Sequence, residues 1–319
     1  MQQLHRAANL SALCLLALRP MPEAIDSSNL TVARGRWLIF SAACLWSLAG
    51  VFIKYLDVPP LAIVFYRSLF AFLVFTPFVR RSQWQISWPI FVSVLSYTAA
   101  ISAFVAANKL TTAANAIVLQ YTAPIFVFLF SRLILSEKIS RLNGCALALG
   151  MIGIAVISMD SAGRPEMAGV ALALLSGVLF ATYMVNLRGT RHVSAVYLTW
   201  INNLVCAALL LLVVKSQLVL SLSQFGILAV MGAVQLGLPY FLFSKGLQSV
   251  SLQEASLIAL IEPVLNPVWV ALVVGEIPSI ATIAGGGLIL LGLVVRFLWP
   301  MLRKTPQVKP EGVIGQSVS

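Results

Sequence analysis

Two charged residues stand where charge is expensive. Glu262 falls near the middle of a long apolar run, about 15 Å along a helix from either end. Arg67 lies well inside another such run, at a depth that rise-per-residue counting puts within a few ångströms of Glu262. A carboxylate or guanidinium in hydrocarbon is costly unless it is paired or faces water, so such residues mark solute sites, proton relays or buried ion pairs. Either the two pair with each other, or Arg67 reads a solute carboxylate while Glu262 meets an amine or a coupling proton. The plain alternatives are a carboxylate that locks helix packing and an arginine that snorkels to the interface.

Around these charges the chain supplies aromatic rings with polar tips. Trp46, Tyr97, Tyr121, Tyr183 and Tyr240 fall at midspan and are the expected lining of a solute cavity, with Gln120, Asn202, Asn203 and Gln235 as further polar candidates. Interfacial anchoring or interhelical hydrogen bonding would use the same residue types. Pro124 and Pro263 interrupt helical hydrogen bonding within apolar runs, which frees carbonyls and makes hinges; a static bend is the simpler role. Glu137 and Glu276 stand where one run ends and the next begins, and stabilisation by a helix dipole suffices to explain them. Glycines 144, 150, 153, 285–287 and 292 form small-residue faces suited to close helix packing or a homodimer contact.

Catalysis finds no footing. The two histidines, His5 and His192, lie in a tail and a loop, and there is neither an HExxH motif nor a phosphate-binding G-x-x-x-x-G-K-[ST] loop. Cys14, Cys44, Cys145 and Cys206 sit in apolar stretches without CxxC spacing. No cofactor, no metal and no enzyme activity is expected.

The elements that must position these residues follow from composition. Of 319 residues 60% are hydrophobic and 10% charged, against about a quarter charged in soluble domains. The mean hydropathy is +0.96. Ten apolar segments reach the length of about 20 residues that a bilayer requires: 36–56, 61–79, 89–108, 113–135, 142–159, 167–187, 194–214, 223–246, 253–274 and 280–300. They are continuous runs, which excludes a transmembrane barrel. The net charge of +11 does not signal nucleic-acid binding, because the basic residues flank the apolar runs. Fourteen Lys and Arg residues of the loops fall on one side, and only Lys54, Lys109, Arg164 and Lys215 on the other. Both termini are therefore expected in the cytoplasm. The Leu10–Leu18 run is too short to span; residues 1–34 read as a disordered or surface-lying tail, with Met21 as an alternative start, and residues 301–319 as a disordered cytoplasmic tail.

The sequence repeats internally. Residues 113–156 and 252–295 align without gaps at an offset of 139, which matches Pro124 with Pro263, Glu137 with Glu276 and Gly153 with Gly292. An offset of 134 matches Gly35 with Gly169 and Trp46 with Phe180. Five spans per half is an odd number, so the second half, 167–300, enters the membrane opposite to the first, 35–160. Inverted repeats place a solute near the midplane between the halves.

These features resemble the drug/metabolite transporter superfamily, specifically its EamA-type members. The resemblance is carried by Trp46, by FYRSLFA at Phe65–Ala71, by TAP at Thr122–Pro124 with SEK at Ser136–Lys138, and by EPVLNPV at Glu262–Val268 with Gly275–Glu276. It implies an all-α membrane protein of ten transmembrane helices in two inverted five-helix repeats. The implied function is export of amino acids, drugs or other metabolites across a bacterial inner membrane. A passive channel, or a carrier of nucleotide sugars or phosphorylated sugars, is the alternative; a dianion would want more buried cations than Arg67 alone. The expected partners are a small-molecule solute and the lipid bilayer, with no nucleic acid.

Overall fold

The computed structural model describes residues 27–49, 52, 56–110, 116, 119–160, 167–214, 220–275 and 279–297. Residues 1–26, with the Leu10–Leu18 run and Met21, the C-terminal tail, and also Lys54, Arg164, Lys215 and Glu276 lie outside the described residues; residues 27–34, expected to belong to the N-terminal tail, instead form the first turns of a helix.

The described chain is all helix: α1 (Ser27–Trp46), α2 (Pro60–Phe75), α3 (Trp88–Leu110), α4 (Ala123–Ile134), α5 (Arg141–Asp160), α6 (Met167–Asn186) and α7 (Ala195–Val214). Then come α8 (Leu222–Val230), a π-helical stretch Met231–Gly237, and α9 (Leu238–Gly246). The chain closes with α10 (Leu252–Ala259), α11 (Glu262–Val274) and α12 (Ile280–Phe297). Helices satisfy every backbone group internally, which hydrocarbon demands. Seven helical stretches, with α8–α9 and α10–α11 each taken as one, are long and apolar enough to cross a membrane. Among the shorter ones, Ala123–Ile134 and Arg141–Ile157 are also apolar. The protein is a multi-pass membrane protein.

Polar signals set the ends. Ser221 caps α8 through a reciprocal box with Gln224, and Ser251 accepts from the Glu254 amide at the start of α10. Helix α11 ends on Gly275 in the left-handed region at φ 79°. The residue 139 positions earlier, Ser136, is also left-handed, at φ 54°, just past α4.

A second correspondence lies ahead of the matched prolines. Before α4 the helix breaks at Tyr121–Thr122, and between α10 and α11 it breaks at Leu260–Ile261, at the same offset. At each break i→i−3 bonds replace the α-helical pattern: Thr122 N to Leu119 O (3.2 Å) and Ile125 N to Thr122 O (2.9 Å), against Ile261 N to Ile258 O and Val264 N to Ile261 O, both 3.1 Å. The cause is local, because Pro124 and Pro263 lack the amide and their rings would crowd the carbonyl four residues back.

The helices pair mostly between the halves. Helix α1 packs against α9, α2 against α7, α3 against α6, α4 against α10, and α5 against α12. The last contact is close enough to read residue by residue. A Cβ on Gly153 would lie 2.5 Å from the Gly285 carbonyl oxygen, one on Gly285 would lie 2.4 Å from that of Gly153, and one on Gly292 would lie 3.0 Å from that of Ala146. These glycines let two backbones touch. Gly285→Ala is expected to cost about 1–3 kcal/mol through overpacking against a carbonyl that cannot yield. Gly287→Ala, where a Cβ meets nothing within 4 Å, should be neutral. Thermal unfolding in detergent distinguishes the two, and equal melting temperatures would refute this packing.

Candidate functional site

The site is built where the helices break. The N-terminal ends of α4 and α11 put Ala123, Pro124 and Glu262 on the wall of a cavity of about 80 Å³. Helix α2 adds Arg67, the break before α4 adds Tyr121, and the π-helical stretch with α9 adds Gln235 and Tyr240. Trp46 of α1 and Phe180 of α6, the pair aligned at the 134 offset, meet edge-to-face at 5.9 Å and both line the cavity. Trp46 also packs on Tyr240 at 5.0 Å.

The two charges share this cavity without pairing. No ion pair joins Arg67 to Glu262; instead Arg67 Nη2 donates to Gln235 Oε1 at 2.5 Å, and Gln235 Nε2 donates to the Trp46 carbonyl at 3.2 Å. Arg67 is 6% exposed, and its Nε is buried without a partner, as are the Trp46 indole N–H and the Tyr121 hydroxyl. The Tyr121 hydroxyl faces the Glu262 carboxyl but does not reach hydrogen-bonding geometry with it. Glu262 opens α11, where the positive end of the helix dipole favours its charge. The cavity thus presents a cationic donor, an acidic group and an orphaned indole N–H between aromatic walls.

The π-helical stretch explains how Gln235 reaches Arg67. Such widened turns recur at functional sites because they re-aim side chains. Gly232 within it sits against the α2 backbone, where a Cβ would lie 2.5 Å from the Arg67 carbonyl oxygen.

Tyr97 and Tyr183 do not line the cavity; they form a layer behind it. Tyr97 packs against Tyr240 at 4.8 Å and Tyr183 at 5.6 Å. The Tyr97 hydroxyl donates to Asn203 Oδ1 at 2.9 Å, while Asn202 Nδ2 reaches the Tyr183 hydroxyl at 3.5 Å. With Phe243, these fully buried rings floor the cavity toward the end of the bundle that carries Arg36 and Glu254. Pro263 lies outside the lining, although its partner Pro124 is in it.

Beyond the floor lies an ionic layer. Glu254, 6% exposed, accepts from Arg36 Nε at 2.6 Å and lies 3.7 Å from Arg296 Nη2. Arg296 Nε also donates to Asn143 Oδ1, and Asn143 Nδ2 donates to Gln253 Oε1 at 3.0 Å. Glu137 pairs with Arg188 at 3.8 Å, and Arg188 donates to the carbonyls of Leu247 and Val250. Burial lowers the Arg188 pKa, and the Glu137 carboxylate opposes that shift. Glu137 is thus engaged by an arginine. The sequence reading missed the Glu254 cluster entirely; the Ser251–Glu254 spacing marks a helix start, but nothing local points to Arg36, 218 residues away.

The described helices thus form a multi-pass membrane bundle with a mainly apolar cavity that carries a few polar groups. The EamA-like transporter family matches this chain twice, over residues 33–159 and 167–298, and the chain belongs to that family. It is similar to an uncharacterized transporter of Archaeoglobus fulgidus, 28% identical over 264 residues that cover 82% of this chain and 95% of the relative. An uncharacterized transporter of Clostridium kluyveri is 25% identical over 216 residues, 64% of this chain and 70% of the relative. A crystal structure of a protein 19% identical in sequence superposes with a TM-score of 0.75, over 86% of this chain and 99% of the other, and shows the fold alone. The protein is a membrane transporter.

Proposed function

We propose that this transporter exports a small zwitterionic solute of the amino-acid type by alternating access, with Arg67 receiving the carboxylate and Glu262 the ammonium. The observation that carries the reading is the single cavity that Arg67 and Glu262 both line without pairing. A paired Arg67–Glu262 would have left neither group for a solute. Tyr121, Trp46 and Tyr240 contact the body of the solute, and the matched breaks before Pro124 and Pro263 serve as hinges.

Ten spans in two inverted five-helix halves fit the observations. The breaks, the left-handed residues 136 and 275, and the glycine contacts of α5 with α12 all correspond at the 139-residue offset. Exchange of the halves turns the α1–α9 contact into α6–α3 and leaves the α2–α7 and α5–α12 contacts in place. With both termini cytoplasmic in a bacterial inner membrane, the buried aromatic floor and the ionic layer close the cytoplasmic side.

The test is a thermal-shift screen of purified protein against amino acids, their esters, nucleosides and cationic drugs, followed by counterflow in proteoliposomes. Amino acids should stabilise, their esters should lose most of the shift, and flux should saturate. Stabilisation by nucleosides or drugs alone would overturn the solute class, and non-saturating flux would indicate a channel.

A further inference from the structure

A second cavity, of about 270 Å³, opens on the outer surface of the bundle, away from the solute site. Its walls are Phe40 of α1, Ile258 of α10, Ile261 just beyond it, and Leu290, Val294 and Phe297 of α12. It is almost purely apolar along its length but not at its end. There the Phe297 ring carries the guanidinium of Arg36 at 5.6 Å and that of Arg296 at 5.2 Å. Both arginines share one carboxylate, Glu254, so the cluster keeps a net positive charge. Arg36 stays one-third exposed, and among the described residues its side chain bonds only through Nε.

The groove follows the helices away from this charge. Leu290 is seven residues from Phe297, and Ile261 seven from Glu254, about 10 Å along each helix. An apolar channel of that length, parallel to the bundle and ending at two guanidiniums, takes the headgroup-proximal half of an acyl chain capped by a phosphate. We propose that it binds an anionic phospholipid, with one chain between α1 and α12 and the phosphate on Arg36 and Arg296. Charge complementarity selects the occupant: a zwitterionic lipid would bring its own cation to an already cationic end, whereas a phosphate monoanion balances it. On the orientation given under Proposed function this end faces the cytoplasmic leaflet, where basic pockets between transmembrane helices hold anionic headgroups. Failure of that orientation or of the solute reading leaves the chemistry of the groove unchanged.

The experiment uses the full chain in neutral detergent, supplemented with phosphatidylglycerol, phosphatidylcholine or inorganic phosphate, and read by melting temperature and native mass spectrometry. Phosphatidylglycerol should raise the melting temperature by several degrees more than phosphatidylcholine and remain bound in the gas phase. Inorganic phosphate should do neither. Leu290→Trp, or Val294→Phe if the first variant does not fold, fills the groove at half-exposed positions and should abolish the preference while melting like the parent without lipid. Equal shifts from the two lipids, a preference that survives the filling variants, or a shift from inorganic phosphate alone would overturn the proposal. So would a dimer in neutral detergent that the filling variants dissociate, because a second copy would then own the groove.

Discussion

Arg67→Gln is expected to weaken binding of carboxylate-bearing solutes by roughly 10- to 100-fold, the scale of a charged hydrogen bond of about 1.5–3 kcal/mol. The same variant should leave the melting temperature of the empty protein close to that of the parent. Arg67 is held in that state by a neutral glutamine, Gln235, and no carboxylate is left stranded. Arg67→Lys should restore little, because an ammonium cannot reproduce the planar fork that meets a carboxylate through two donors. Combined with Glu262→Gln, the losses should be non-additive by about 0.5–3 kcal/mol, since the two groups share one solute. Isothermal titration on the two single variants and the double variant checks this. Additive losses would mean that Arg67 and Glu262 do not hold the same solute molecule.

The second large effect falls on the ionic layer. Removing Glu254 strands two partly buried guanidiniums, and breaking a buried pair costs about 3–5 kcal/mol when one partner is deleted. Arg36 is one-third exposed and recovers some hydration, so Glu254→Ala should cost about 2–4 kcal/mol. The triple replacement of Arg36, Glu254 and Arg296 by methionine should melt well above the single variant, because it removes the charges together with their desolvation cost. Melting curves of the single and triple variants decide the matter. A triple variant no more stable than Glu254→Ala would show that the cluster contributes more than its mutual neutralisation.

Much of this was legible in the sequence because it is written locally or periodically. The positions of Pro124 and Pro263 announced the breaks at Tyr121–Thr122 and Leu260–Ile261, since a missing amide acts on its own turn. Depth counting from the helix rise was enough to bring Arg67 and Glu262 to one cavity. It could not say that they would remain unpaired, because that depends on Gln235, and Gln235 reaches Arg67 only from a widened turn. No residue pattern in Met231–Gly237 distinguishes a π-helical turn from an ordinary one. Depth along the helix does not say which way a tyrosine faces: Tyr97 and Tyr183 stack behind Tyr240 and not on the cavity wall, because facing depends on helix rotation, which packing fixes. Glu254 carries no such signal, because it stands near the end of an apolar run, where a charge ordinarily meets water. Its burial comes from Arg36 and Arg296, which lie at opposite extremes of the chain.

The pairing of helices between the halves bears on how the molecule is made. Chains emerge from the ribosome N-terminus first, at about 5–20 residues per second. When α5 is complete, the partners of α1, α2, α3 and α5 have yet to be synthesised, and Gly153 has no backbone to rest against. The first half therefore waits in the bilayer as loosely associated helices for several seconds or longer. Its glycine seam and Arg67 are exposed to lipid and to the insertion machinery until α6 and α7 arrive. Helix α12 closes last, and it brings both Gly285 for the α5 seam and Arg296 for Glu254. Quality control that reads unpaired polar groups in the membrane would thus have one late event to monitor, the arrival of the tenth apolar segment.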